Sequence, residues 1–507
     1  MGRVKRIMLL AILLSAASLS TFDLFASDLS GYSPTGKPAF ASVSSTSRHA
    51  TAAPVGLQPD RSRPRTATQR LAEQADADGP LSGSVWGFLA VNLRGDTLVC
   101  LNPQRRLVPA SNLKLITTGA ALLSLGENFR YSTTFATDRP SARTDLPSSP
   151  LAAESQKSPK TLPTPGSEAG LVSKSAENAT NAADSVLRAN LYIIGGGDPL
   201  IGELFPYLPS PDETFGRWSK VLSDNGIRRI EGDILGDGSW FSEPQPHPDW
   251  NVEDLRTRDG VVPAGLTWRG KMGDSLPDSP STAALHFREW LEGCVRDSAE
   301  SCATLPDRSQ ALSLDSLTVL GTVPSLPLRE LVRIANCQSD NFIAETLLKT
   351  LGKLRGDGDD YPSSIAALRR SLAPIGLMAA SGQMRFADGS GLSRKNYVSP
   401  EFMVSFLKGM YRSRVRKAFL GSLPFAGETK TTLENRLPKR SWALRHRILM
   451  KSGSMNGVRC FSGYILPSSG RAEETIVFSL LTNNAVASSS QVYPLLDSLI
   501  ESLAGEN

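Results

Sequence analysis

The 507-residue chain carries little that metal or redox chemistry could use. Its four histidines, His49, His247, His286 and His446, are scattered and make no zinc-ligand spacing. Its five cysteines include no C-x-x-C pair, so neither a metal knuckle nor a dithiol motif is present, and no cofactor is expected. No G-x-S-x-G elbow occurs, which disfavours an α/β-hydrolase triad. The glycine run Gly195–Gly197 is followed by no G-K-[ST], so it is not a phosphate loop. A formal net charge of +5 is too weak an excess to argue for nucleic acid. Beyond the N-terminus no run reaches 18 apolar residues, so no stable membrane span is expected.

What is present begins with an address. Arg3, Lys5 and Arg6 precede the apolar run Ile7–Leu14 and a Ser-Ala-Ala-Ser stretch, the layout of a secretory signal peptide, assigned to residues 1–26. The chain is therefore expected in the periplasm or cell envelope, where Cys294 and Cys302 lie close enough in sequence to bridge. Residues 27–80 are Ser-, Thr-, Pro- and Arg-rich with few aromatics and read as a disordered linker. Residues 138–185 contain no aromatic and read as a disordered loop set into a hairpin. Between these stretches, Trp86–Asn92 and Thr97–Leu101 flank Arg94-Gly95-Asp96 as a hairpin, and a helix follows over Leu113–Leu125, stopped by Gly126. Further helices are expected over Leu328–Cys337, Asn341–Leu351, Tyr361–Ile375, Pro400–Arg412 and Val492–Leu503, with strands over Arg459–Leu466 and Ala472–Thr482.

Acyl transfer without histidine needs a nucleophile, a base, a proton relay and an oxyanion hole. One solution combines S-x-x-K, S-x-N and K-[ST]-G, and all three occur in that order. Ser111-Asn112-Leu113-Lys114 opens a helix, so Ser111 and Lys114 share a face next to free N–H groups. The second S-x-x-K, Ser405 to Lys408, falls inside a helix where no orphan N–H exists, and is read as chance. Of the S-x-N matches, Ser339-Asp340-Asn341 lies between two helices and between the other motifs, whereas Ser223-Asp224-Asn225 precedes a helix stop. Lys451-Ser452-Gly453 is the sole K-[ST]-G. Taken singly, Ser111 and Ser339 could be helix N-caps and Lys451 a strand-edge lysine.

With these motifs, and with Gly195-Gly196-Gly197-Asp198-Pro199, Asp237–Phe241, Phe342 through Glu345, Asp388–Ser393 and Gly463-Tyr464, the chain resembles the class C low-molecular-mass penicillin-binding proteins, the D-alanyl-D-alanine carboxypeptidase/endopeptidases. It departs from them in reading K-S-G for K-T-G, in a short stretch between Trp250 and Ala283, and in the added tract 138–185. The resemblance implies an α+β fold: a penicillin-binding/β-lactamase-like transpeptidase domain, an antiparallel sheet sandwiched by helices, built from 81–130 and 325–507, with an inserted mostly-β module at 131–324. It implies that Ser111 is acylated, that Lys114 takes its proton and that Ser339 relays it to the leaving amine. Asn341 orients Lys114 and the substrate amide, and Lys451 and Ser452 hold the terminal carboxylate. Gly453 lies on the same strand, and the N–H groups of Ser111 and Ser454 form the oxyanion hole. The expected partners are peptidoglycan stem peptides and β-lactam antibiotics. A neutral Lys114 near pH 7 requires its pKa to fall by roughly three pH units, about 4 kcal/mol, for which burial and a nearby Lys451 are the expected sources. A non-catalytic wall-binding scaffold and a serine β-lactamase are the competing readings.

Overall fold

The computed structural model describes residues 65–138, 186–202, 209–242, 246–260, 262–269, 280–294, 316–377 and 384–506. The expected signal peptide, the tract 139–185 and Cys302 lie outside the described residues.

A five-stranded antiparallel sheet is built from the N- and C-terminal parts of the described chain. It comprises β1 (Val85–Asn92), β2 (Thr97–Leu101), β11 (Ile448–Met455), β12 (Val458–Ile465) and β13 (Ile476–Asn483), in the order β11-β12-β13-β1-β2. Side chains alternate between its two faces, as the two-residue period of a strand requires. Leu89, Val91, Val477 and Leu481 face one apolar cluster, and Phe88, Ala90, Phe478 and Leu480 face the other. The first cluster is covered by α2 (Leu113–Leu125), α5 (Leu328–Gln338), α6 (Asn341–Arg355), α7 (Tyr361–Ser371) and α8 (Pro400–Arg412). The second is covered by α1 (Ala67–Ala77) and α11 (Ser489–Ala504). Both faces are therefore closed by helices.

Helix α1 corrects the expected linker over 27–80, at least from residue 67. Its sequence, ATQRLAEQADA, is too polar to announce a core element. It docks through small buried residues, Thr68, Ala72 and Ala75, which return at helical spacing. Polar contacts complete the fit: Thr66 caps the helix, Gln69 accepts from the Cys100 N–H at 2.8 Å, and the Trp86 indole N–H donates to Asp76 at 2.7 Å.

The chain leaves the sheet region after α2 and builds a second layer. Strands β3 (Ser132–Asp138), β5 (Leu191–Ile194), β7 (Ile234–Asp237) and β8 (Leu317–Pro324) form a sheet in the order β7-β5-β3-β8, parallel only between β5 and β7. Short β4 (Val186–Leu187) and β6 (Arg229–Ile230) pair beside it. This module holds two helices, α3 (Pro211–Asp224) and α4 (Pro280–Cys294), so it is more mixed than its turn-rich sequence suggests. Its core is aromatic: Phe135, Phe215, Trp218, Trp268 and Phe287 pack within 5.2–6.4 Å of one another where they pair. The remaining elements are β9 (Met384–Arg385) paired with β10 (Tyr397–Val398), and the short helices α9 (Arg416–Gly421) and α10 (Trp442–Arg447). Cys337 and Cys460 are buried thiols, and burial pushes both up to about 12, so they are inert; Cys100 is buried as well.

Candidate active site

Three elements converge on one cleft of ≈ 470 Å³. Its lining includes Ser111, Ser339, Asn341, Ser452 and Ser454, drawn from all three motifs. Ser223, by contrast, bonds the carbonyl of Lys220 within its own helix, and Ser405 sits exposed on α8.

Ser111 occupies a single 3₁₀ turn, Ala110–Asn112, that runs directly into α2. The preceding Ala110 has a φ of +46°, a conformation that costs a non-glycine residue of order 1 kcal/mol. Two glycines make room for the turn. A Cβ on Gly391 would lie 2.0 Å from the Ala110 carbonyl oxygen, and one on Gly453 would lie 2.6 Å from that of Pro109. Strand β11 and the loop 388–393 can thus press against the serine from two sides.

Lys114, one turn after Ser111, is the second residue of α2 and is fully buried. Its Nζ is 2.9 Å from Ser111 Oγ, 2.5 Å from Asn341 Oδ1 and 2.8 Å from the Ser390 carbonyl oxygen. Burial pushes its pKa down to about 8, against the opposing pull of Asp388, Glu345, Asp259 and Asp340. A neutral lysine has two N–H groups and one lone pair. Asn341 and Ser390 can take the two N–H groups, which leaves the lone pair facing the Ser111 hydroxyl.

Ser339 is not an N-cap. It closes the C-terminus of α5 in the left-handed region, φ +58°, while Asp340 caps α6 by accepting from the Ile343 N–H at 2.9 Å. The reversal carries Ser339 to the cleft wall and sets Asn341 at the first position of α6. Burial opposes ionisation of Asp340, but Arg269, 2.7 Å away, together with the Ile343 N–H and Lys114 holds the carboxyl below its ordinary value. Arg269 comes from the inserted module. So does Asp259, whose carbonyl accepts from Asn341 Nδ2 at 3.0 Å.

On β11 the N-terminal half is covered by residues 424–426: the Ala426 N–H donates to the Ile448 carbonyl, and the Met450 N–H to that of Pro424. Backbone groups alternate sides along a strand, so the N–H groups of Ser452 and Ser454 share the outward direction of Met450. That edge borders the cleft. Lys451 is completely buried, its Nζ donating to the Ser452 carbonyl at 2.7 Å. Burial, with Lys114 as a like charge, holds its pKa well below the ordinary value. The cleft itself presents the Ser452 hydroxyl, which donates to Thr432 Oγ1 at 2.8 Å, and Arg436.

The sequence profile of the D-Ala-D-Ala carboxypeptidase 3 (S13) family matches residues 67–148, 173–273 and 308–498. The chain belongs to this family. It is 25% identical over 494 residues to a D-alanyl-D-alanine carboxypeptidase of Actinomadura sp. strain R39, covering 82% of this chain and 81% of that one. It is also 25% identical over 309 residues to carboxypeptidase DacB of Mycolicibacterium smegmatis, covering 57% and 63%. Its fold is similar to the crystal structure of penicillin binding protein 4 (dacB) from Haemophilus influenzae, with a TM-score of 0.62 at 19% identity over 87% of this chain and 99% of that chain. The fold is thus of the penicillin-binding/β-lactamase-like class. Among the described residues no helix is long and apolar enough to cross a membrane.

Several groups in the site were not singled out for roles from the sequence: the Ser390 carbonyl, Glu345, Asp388, Asp259, Arg269 and Thr432. Glu345, Asp388 and Ser390 lie in segments that resemble the family, so position alone could have flagged them. Arg269, Asp259 and Thr432 carry no local signal.

Proposed function

We propose that this member of the S13 family is an exported serine D,D-peptidase that cleaves D-Ala-D-Ala ends or D-Ala–diamino-acid cross-links of peptidoglycan through an acyl-enzyme on Ser111. The observation that carries the reading is the buried Lys114 amine at 2.9 Å from Ser111 Oγ, with its pKa at about 8. Its neutral form takes the Ser111 proton as Oγ attacks the carbonyl of the penultimate D-Ala. An extended peptide laid along the open edge of β11 pairs with outward backbone groups, as an added strand does. Its carbonyl then faces the N–H groups of Ser111 and Ser454, and each oxyanion donor is worth roughly 3–4 kcal/mol. Ser339, on the facing wall, passes the proton to the leaving amine. Water attacks the ester with the same base and releases the peptide.

The terminal carboxylate falls to the Ser452 hydroxyl and its partner Thr432. The accompanying positive charge comes from Lys451 beneath them. Arg436 on the cleft wall is the alternative source. β-Lactams, whose amide mimics the scissile bond, would acylate the same serine.

A fluorescent penicillin and a D-Ala release assay test the reading. Wild type and Ser405→Ala should hold a stable label and release D-Ala, and Ser111→Ala should do neither. Rapid turnover of the penicillin would favour a β-lactamase, and absence of any label a scaffold.

A further inference from the structure

Helix α6 carries Asn341 and Glu345 four residues apart, on one face. Asn341 touches Lys114 directly. Glu345, with no exposed surface, accepts from the Gly389 N–H at 3.0 and 3.2 Å and from the Ser390 N–H at 2.7 Å. The carbonyl of that same Ser390 is one of the three partners of Lys114 Nζ. The rest of the loop is fixed by Asp388, which accepts from the Gly391 N–H, the Ser393 N–H, Asn396 Nδ2 and the Trp250 indole. Thr117 Oγ1 donates to the Gly389 carbonyl at 2.7 Å, and among the described residues Glu345 is the side-chain acceptor for the Gly389 and Ser390 N–H groups, so Glu345 fixes the N–H side of this peptide.

A neutral amine rotates about its Cε–Nζ bond unless its two N–H groups are held. If the Ser390 carbonyl moves, one N–H is released and the lone pair is no longer confined to the direction of Ser111. We propose that Glu345 is a positioning residue for acylation: by clamping the Gly389–Ser390 amides it aims the Lys114 lone pair at the Ser111 hydroxyl. This rests on Lys114 being the base. The groups that bear on Lys114 from the surrounding elements are Asp340 and Glu345 of α6, Asp388 of the loop, Asp259 of the inserted module and Lys451 of β11. Burial and Asp388 push the Glu345 carboxyl upward, so in its protonated form it keeps an acceptor oxygen for the clamp.

The test measures acylation by a chromogenic β-lactam, separating the initial dissociation constant from the acylation rate constant, over pH 5 to 10. Wild type and Ser111→Ala are run first, so that a failure of the base-and-nucleophile reading shows in those two proteins alone. General-base assistance is typically worth 10²–10⁴-fold, and a misdirected lone pair should forfeit at least about 10-fold of it. Glu345→Ala should lower the acylation rate constant by that amount with the dissociation constant changed less than about 3-fold. Its acid limb should move to lower pH, because the Lys114 ammonium has lost both a carbonyl partner and a nearby carboxyl. Glu345→Asp, which withdraws the carboxyl by about 1.5 Å, should behave like Ala. Glu345→Gln keeps an oxygen where two of the three contacts converge and should recover most of the loss. The proposal is overturned if folded Glu345→Ala or Glu345→Asp acylates within about 3-fold of wild type with an unmoved acid limb. It is equally overturned if Gln loses as much as Asp. Should the Ala protein not fold, the Asp–Gln contrast decides.

Discussion

Replacing Lys114 by Met should abolish acylation and at the same time change the pH dependence of stability in a calculable way. Lys114 is fully buried, and its pKa drops from 10.5 to about 8 in the folded chain. That displacement is equivalent to about 3 kcal/mol, at 1.36 kcal/mol per pH unit. Because the folded pKa lies below the unfolded one, the unfolded chain binds more protons between about pH 8 and 10.5, and stability rises with pH across that window. Wild type therefore carries its full penalty below pH 8 and sheds it by pH 10.5. The variant has no such group. Met also leaves the Asn341 oxygen and the Ser390 carbonyl without a donor, at about 1–3 kcal/mol for each buried acceptor, but that loss does not depend on pH. The absolute difference at pH 7 thus mixes two effects, whereas its pH dependence isolates one. Denaturant melts of both proteins at pH 7 and 10.5 should show the stability of the variant relative to wild type falling by about 3 kcal/mol on going to the higher pH. The other buried amine, Lys451, also responds to the loss of Lys114 as a like charge, so the pair of melts is repeated in a Lys451→Met background. Parallel pH profiles, agreeing within about 0.5 kcal/mol, would refute the assignment of a depressed amine to Lys114.

Lys451→Ala should lower kcat/KM on D-Ala-D-Ala peptides at least about 10-fold, the worth of a charge-assisted contact, and should blunt discrimination between a free carboxylate and its amide. If the preference for the acid survives, Arg436 is the anchor. Gly453→Ala should slow penicillin acylation at least about 10-fold and lower Tm by a few degrees, since its Cβ would need space 2.6 Å from the Pro109 carbonyl oxygen, on the turn that carries Ser111. Removing residues 65–80 should expose Trp86, now 1% accessible, and give a red-shifted fluorescence and a Tm lower by several degrees. Unchanged fluorescence would mean that α1 does not shield that indole.

The motifs were legible because acyl transfer fixes both residue types and short spacings. Ser111 and Lys114 must share a helical face, and three residues of separation suffice to say so. Helices α2, α6 and α8 were visible through their apolar periodicity and their Gly or Pro boundaries. Helix α1 was not, because it packs through alanines and a threonine and is completed by hydrogen bonds to partners more than 400 residues away, such as Thr68 to Ser502. Helix α4 of the inserted module was missed among turn-rich sequence. The grip of that module on the site was equally invisible: Arg269 on Asp340, the Asp259 carbonyl on Asn341 and the Trp250 indole on Asp388 are separated by 71, 82 and 138 residues. In the sequence such residues look like ordinary surface polar groups, and only burial shows that each must be matched.

The charge balance of the two lysines also revises how the base is made neutral. The expectation was that burial and Lys451 together depress Lys114. In the structure the two amines differ in their surroundings. Lys114 sits among Asp388, Glu345, Asp259 and Asp340, all of which favour its ammonium, and burial alone is the larger, opposing influence. Among the described residues no carboxylate pairs with Lys451, and its pKa lies well below its ordinary value. Burial and these four carboxylates, rather than Lys451, set where Lys114 titrates. The acid limb of acylation should accordingly stay in place in Lys451→Ala, even as carboxylate recognition weakens. A limb that moves upward in that variant would show instead that the two amines repel each other while both are charged.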